Sequence, residues 1–232
     1  MVSEEARPDG RTGQESRSVM VERPPFHSRL ITDPRVLGVL DELYERERRV
    51  NWEAYPHDPD PFRHAGTGFS LSPEQGDQLY LLVRHGRASH VVEFATSLGF
   101  STIFLAAAVR DCGKGRVYTA ELVPEKVQQA RENLARAGLG DYVTVLEGDA
   151  RKTLAAVPDG IDFALIDGWE PIVSLDVLKL IEPKLRSGAL VYNENQDREF
   201  LEYVQAPDSG YGNVPLLSGS SYKPQGELSL RR

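Results

Sequence analysis

The chain has 232 residues with 40% hydrophobic and 27% charged side chains, enough for one globular domain with extensions. Acidic residues outnumber basic ones, 35 against 27, for a formal net charge of −8 with no basic stripe. This excludes a phosphate-backbone binder, whose affinity would rest on Lys and Arg, and leaves a small-molecule partner as the expectation.

Cys112 is the only cysteine, so no internal disulfide framework exists. No apolar run approaches the roughly 18–20 residues of a membrane helix, and no membrane partner is expected. The opening MVSEEARPDG is acidic and lacks an apolar core, unlike a signal peptide, which points to a cytoplasmic protein.

Residues 1–25 are polar with almost no apolar periodicity and read as a disordered tail. Residues 26–70 read as an N-terminal helix and lid, and 71–232 as the main domain. Asp33-Pro34 is an N-cap followed by a first-turn proline, and Val36, Leu37, Leu40 and Leu43 continue at helical spacing to about Val50. The following stretch to Ser70 carries Pro56, Pro59, Pro61, His57, His64 and the aromatics Trp52, Tyr55, Phe62 and Phe69. Long irregular connections of this kind often cover binding sites. Ser72-Pro73-Glu74-Gln75 has the form of a capping box opening the next helix.

From His90 onward strands and helices alternate. Strands are predicted at 90–94, 116–120, 143–146, 162–166 and 189–193. Helices are predicted near 101–110, 124–137, 150–156 and 171–186. Alternation of this kind implies βαβ units and a parallel sheet, here a doubly wound α/β fold. Gln196–Val204 reads as a further helix, and Val214–Leu217 with Glu227–Leu230 as an antiparallel hairpin at the sheet edge.

The most informative run is Val91-Val92-Glu93-Phe94-Ala95-Thr96-Ser97-Leu98-Gly99-Phe100-Ser101-Thr102. A buried strand ends in a carboxylate, passes through small residues and enters a helix. That is where open α/β sheets bind ligands, and the helix N-terminus suits either a carboxylate or a pyrophosphate. The dinucleotide fingerprint G-x-G-x-x-G is not met at Ala95 and Gly99. Glu93 would repel a pyrophosphate and attract the cationic amino-acid end of S-adenosylmethionine (SAM). Glu121, ending the second strand, is either a solvated strand end or the acceptor of two ribose hydroxyls. Asp149 is either a plain helix N-cap or a contact to the adenine amino group.

With these blocks in order, the chain resembles class I SAM-dependent O-methyltransferases related to catechol and caffeoyl-CoA O-methyltransferases, and is most similar to bacterial members. The resemblance covers roughly 68–232 and rests on GFSLSPEQGDQLYLLVR, VVEFATSLGFSTIFLAAAV, GRVYTAELVPEKVQQARENLARAGL, VTVLEGDARKTL, IDFALIDGW and LRSGALVYNEN. It implies a Rossmann-like domain with antiparallel C-terminal edge strands and an N-terminal helical lid. It implies SAM held by Leu71, Glu93, Ala95, Ser97, Ser101, Glu121, Asp149, Ala150 and Asp167. Asp167, Trp169 and Glu170 would serve methyl transfer to a hydroxylated aromatic acceptor. In metal-dependent members Mg²⁺ sits on positions that here read Asp167, Glu194 and Asn195, hard oxygen ligands fit for Mg²⁺ or Ca²⁺. A homodimer is expected.

Two departures stand out. The family's usual general-base lysine is Glu170 here, so a carboxylate, or His57 or His64 from the lid, would have to take the proton. Ala95 replaces a usual glycine. A SAM-binding protein with lost or altered catalysis is therefore the alternative, and an NAD-dependent oxidoreductase a more distant one.

Overall fold

A computed structural model describes residues 25–56, 58–168, 171–194, 197–216 and 226–232, without the side chains of 171 and 172. The expected tail lies outside the described residues, apart from its last position. The N-terminal helix is α1 (Pro34–Arg48), capped by the Asp33 carboxylate accepting from Arg35 N–H. A single turn of 3-10 helix, Pro61–His64, interrupts the connection to α2 (Pro73–Gly86). The capping box is formed as expected: Ser72 and Gln75 exchange side-chain to backbone hydrogen bonds in both directions.

The domain then runs β1 (His90–Phe94), α3 (Phe100–Asp111), β2 (Arg116–Glu121), α4 (Pro124–Arg136) and β3 (Val143–Glu147). It continues through α5 (Ala150–Thr153), β4 (Ile161–Ile166), α6 (Pro171–Ile181), β5 (Leu185–Asn193), α7 (Arg198–Gln205), β6 (Tyr211–Pro215) and β7 (Glu227–Arg231). The strands form one seven-stranded sheet in the order β3-β2-β1-β4-β5-β7-β6. β1 to β5 are mutually parallel, and β7 pairs antiparallel with both β5 and β6. The order reverses between β1 and β4, which opens a crevice at their carboxyl ends.

Two apolar layers sandwich the sheet. Val91, Phe163, Leu165 and Tyr192 face α1, α2 and α3; Val92, Ala164, Ile166 and Val191 face α6 and α7. Helix α3 is buried along most of its length, from Phe100 to Val109, because α2 and α1 cover the side turned away from the sheet. Gly76 permits this closeness, since a Cβ there would lie 2.4 Å from the Phe104 ring.

Boundaries differ where proline or glycine intervenes. The helix expected to reach 186 stops at Ile181, and Pro183 sits in a short 3-10 turn; proline has no N–H to continue a helix. β5 begins at Leu185, four positions before the expected 189, with a register irregularity around Gly188 (φ +79°) before regular pairing resumes at Leu190. β6 begins earlier than expected, at Tyr211, taking in Gly212 and Asn213. No helix among the described residues is long and apolar enough to cross a membrane.

Candidate active site

The β1–α3 turn is built on unusual backbone. Ala95 (φ +73°), Ser97 (φ +50°) and Gly99 (φ +91°) all adopt left-handed geometry, which costs a non-glycine residue of order 1–2 kcal/mol. Ala95 and Thr96 N–H both donate to the Ala120 carbonyl (3.1 Å each), strapping the turn to β2. Ser97 N–H donates to Glu121 Oε2 at 2.8 Å, while the Ser97 hydroxyl is buried and unpartnered. Left-handed backbone and an unsatisfied buried hydroxyl thus coincide at Ser97, which makes it a candidate ligand contact.

Glu93 has no exposed surface and lies at the base of this turn. Its carboxylate accepts from the hydroxyls of Ser101 (2.6 Å), Thr102 (2.5 Å) and Thr119 (2.6 Å). Thr119, having given its proton to Glu93, accepts from Thr96 at 2.6 Å. Burial pushes the Glu93 pKa up to about 7 against these hydroxyls, and the negative charge of Asp167 pushes the same way. A bound cation would favour the ionised form.

Glu121 is buried at the end of β2, with one oxygen on Ser97 N–H and the other on Val123 N–H at 2.9 Å. Each oxygen keeps a second lone pair, so the carboxylate is fixed in orientation and still able to accept two hydroxyls. Asp149 caps α5 by accepting from Arg151 N–H and pairs with the Arg151 guanidinium at 2.8 Å, which holds its pKa low. Ala150 is buried beside it, and Leu71 is buried just before the α2 cap.

Across the switch point, Glu194 N–H donates to the Ile166 carbonyl at 3.2 Å, which sets Glu194 beside Asp167 at the ends of β5 and β4. Gln75 Nε2 donates to Glu194 Oε1 at 2.6 Å, so the capping glutamine of α2 also anchors this carboxylate. Tyr192, fully buried, has its phenol pKa pushed up by burial and by the charges of Glu194 and Asp167. Gly168 lets the chain leave β4 against the Phe94 ring, which a Cβ would meet at 2.0 Å.

Asp167 and Glu194 are carboxylates, the ligand chemistry a hard divalent cation takes. The third expected ligand, Asn195, and Trp169 and Glu170, expected to serve methyl transfer, lie outside the described residues. No group of three His, Cys, Asp or Glu side chains gathers at a metal-like spacing among the described residues.

The segment expected as a lid carries an aromatic cluster. Trp52, Tyr55, His64 and Phe69 pack with ring centroids 5.2–5.8 Å apart. His64 is 1% exposed, its Nδ1 against Tyr55 hydroxyl and its Nε2 against the Asp58 carbonyl, both at 2.8 Å. Both ring nitrogens are thus engaged within this segment; His57 lies outside the described residues. Phe62 is 52% exposed and not part of the cluster.

The fold therefore brings Glu93, Ala95, Ser97, Ser101, Glu121, Asp149, Ala150, Asp167 and Glu194 to the carboxyl ends of β1 to β5, and Leu71 precedes α2, whose Gln75 reaches Glu194. Sequence reasoning missed Thr102 and Thr119, which line the buried face of Glu93, and the second role of Gln75. A threonine directly following Ser101, and one two residues before Glu121, were the available signals.

A parallel sheet with an antiparallel edge hairpin, and carboxylates within the last two residues of β1 and β2 and just after β4 and β5, define a Rossmann-like α/β architecture. Residues 92–194 match the family model described as a methyltransferase domain. A catechol O-methyltransferase of Mycobacterium tuberculosis is 43% identical over 100 residues, 42% of this chain and 44% of that protein. A protein of Methanothermobacter thermautotrophicus named "Probable cobalt-precorrin-6B C(15)-methyltransferase (decarboxylating)" is 36% identical over 110 residues, 47% of this chain and 54% of that one. The chain thus spans about half the length of these curated relatives. The crystal structure of an O-methyltransferase from Bacillus cereus in complex with SAH superposes with a TM-score of 0.64 at 24% identity, covering 88% of this chain and 93% of that one. At that identity the likeness is one of fold. The resemblance to class I O-methyltransferases read from the motifs is borne out by these comparisons.

Proposed function

We propose that the protein is a SAM-dependent O-methyltransferase acting on a small hydroxylated aromatic, catechol-like acceptor. The observation that carries this is the left-handed β1–α3 turn, with its unpartnered Ser97 hydroxyl, set between the carboxylates of Glu93 and Glu121. A sulfonium with an ammonium group is stabilised there, whereas a pyrophosphate would be repelled. Glu121 accepts the ribose hydroxyls, Asp149 and Ala150 border the adenine, and Leu71, Glu93, Ala95, Ser97 and Ser101 hold the methionine part.

Asp167, Trp169 and Glu170 are the residues assigned to methyl transfer. Methyl transfer forms an O–C bond as the S–C bond breaks, so the sulfonium becomes a neutral thioether and the hydroxyl proton passes to a carboxylate, Glu170 by position. The chain's main tasks are to align the reacting atoms and exclude water. Asp167, Glu194 and Asn195 are the residues that would hold Mg²⁺ or Ca²⁺, which supplies acidification of the acceptor hydroxyl when bound. We further propose a cytoplasmic homodimer.

The deciding experiment follows S-adenosylhomocysteine (SAH) formation from SAM over a panel of catechols and hydroxylated aromatics, with Mg²⁺ and with EDTA. We expect product that disappears with EDTA. Product indifferent to EDTA keeps the methyltransferase and removes the metal. Absence of SAM binding by calorimetry would sink the reading altogether.

A further inference from the structure

Asn133 lies in the last turn of α4 and is 8% exposed. Its Nδ2 donates to the carbonyl of Leu98, in the turn after β1, at 3.0 Å, and the bond is buried. Arg136 donates through Nη1 to Asn133 Oδ1 at 3.3 Å and is itself paired with Glu42 of α1. These two partners fix the amide in one orientation, because a guanidinium requires the oxygen and a carbonyl requires the NH2 group. The helix comes close enough for the bond because its face toward the turn is small: a Cβ on Gly99 would stand 3.6 Å from the Ala130 Cβ.

The turn is held from three sides. Ala95 and Thr96 N–H are tied to the Ala120 carbonyl of β2, Ser97 N–H to the carboxylate of Glu121, and the Leu98 carbonyl to Asn133. The Glu121 and Asn133 bonds fall on either side of residues 97 and 98. Together they pin the left-handed Ser97 (φ +50°), a residue whose Cβ disfavours that geometry. Without the amide, the buried Leu98 carbonyl keeps a partner only if the turn moves to bring it to water.

We propose that Asn133 is a positioning residue for the cofactor: it holds the β1–α3 turn in the left-handed form, and acts through Leu98 rather than on the ligand. The inference rests on the reading of this turn as the SAM site. Removing the donor lets the ligand-free turn leave the left-handed form, and apparent affinity then falls with the fraction that stays competent. Ligand selects the competent form, so the occupied turn returns to the parent geometry.

The test compares the whole chain with Asn133→Leu, which keeps the branched shape and removes the donor, and with Asn133→Asp, which keeps a partner for Arg136 but has no N–H. SAH affinity is measured by calorimetry at a temperature where all three are folded by circular dichroism. Amide hydrogen exchange of residues 96–99 and of β4 is followed residue by residue, without and with saturating SAH. Both variants bind SAH about tenfold more weakly than the parent. Without ligand their 96–99 amides exchange about tenfold faster while those of β4 keep the parent rates. Saturating SAH returns 96–99 to parent protection.

A role confined to stability lowers the melting temperature and leaves affinity and the exchange of the turn at parent values; that result overturns the inference. Faster exchange spread equally over the turn and β4 overturns it as well. If Asn133→Leu does not fold, Asn133→Asp alone carries the test. Absence of SAH binding by the parent defeats the cofactor reading itself, a result separate from a parent that binds and variants that match it.

Discussion

Glu93 is costly to keep ionised: it is fully enclosed, and three hydroxyls do not offset its desolvation. Its folded pKa of about 7 lies above the ordinary value of 4.5, so the folded protein binds a proton that the unfolded chain gives up between those two values. The associated stability is full below about pH 4.5 and is lost as pH rises through about 7. At 1.36 kcal/mol per unit this amounts to at most about 3 kcal/mol. Glu93→Gln should therefore flatten the fall in melting temperature between pH 5 and 8 and be the more stable protein at pH 8, while binding SAM less well. A melting profile with the parent's slope would refute the assignment. Glu93 and Glu121 were legible in the sequence because each ends a buried strand. The hydroxyls around Glu93 were not, since Thr102 and Thr119 come from different elements and meet only when α3 lies across β1 and β2.

At the scale of elements, close approaches set the geometry of the cleft. β1 and β4 are bonded in register from Val91↔Phe163 to Phe94↔Ile166, and the chain leaving β4 must pass the Phe94 ring. Gly168 is the residue that allows it. Gly168→Ala forces the ring or the β4 exit to shift, a class of overpacking that costs about 1–3 kcal/mol. At roughly 2–4 °C per kcal/mol for a chain of this size, the melting temperature should fall by about 2–12 °C. Because Asp167 adjoins the shift, SAM affinity should fall as well; unchanged melting and binding would show that the ring moves freely. The βαβ pattern made the order of elements readable, and the capping box and prolines located the starts of α1, α2 and α4. The end of α6 and the start of β5 were misjudged because the apolar run through Ile181 hides the break at Pro183, and Gly188 masks the early strand.

For the whole molecule, the hairpin β6–β7 sets one margin of the sheet, with β6 at the edge. Val214 and Leu230 are 56% and 45% exposed there, and Val214 shares a face with Leu228, its cross-strand neighbour. Such a face would carry the contact of the proposed homodimer. Sedimentation velocity should give twice the 25.8 kDa chain mass, and Val214→Glu should return it to that mass. A parent chain that sediments at single-chain mass removes the dimer.

What the sequence by itself determined is local: the strand ends, the caps, the turn of small residues after β1, and hence the fold class and the acidic character of the site. These follow from periodicity, chain stiffness and charge, which act over a few neighbouring residues. Only the tertiary structure decided which distant groups share a boundary. It enclosed Glu93 among hydroxyls from α3 and β2, turned the capping glutamine of α2 toward Glu194, engaged both nitrogens of His64 with Tyr55 and Asp58, and tied Asn133 of α4 to the turn after β1. Burial and field depend on what packs above and below a side chain, and that is settled when the helices close over the sheet.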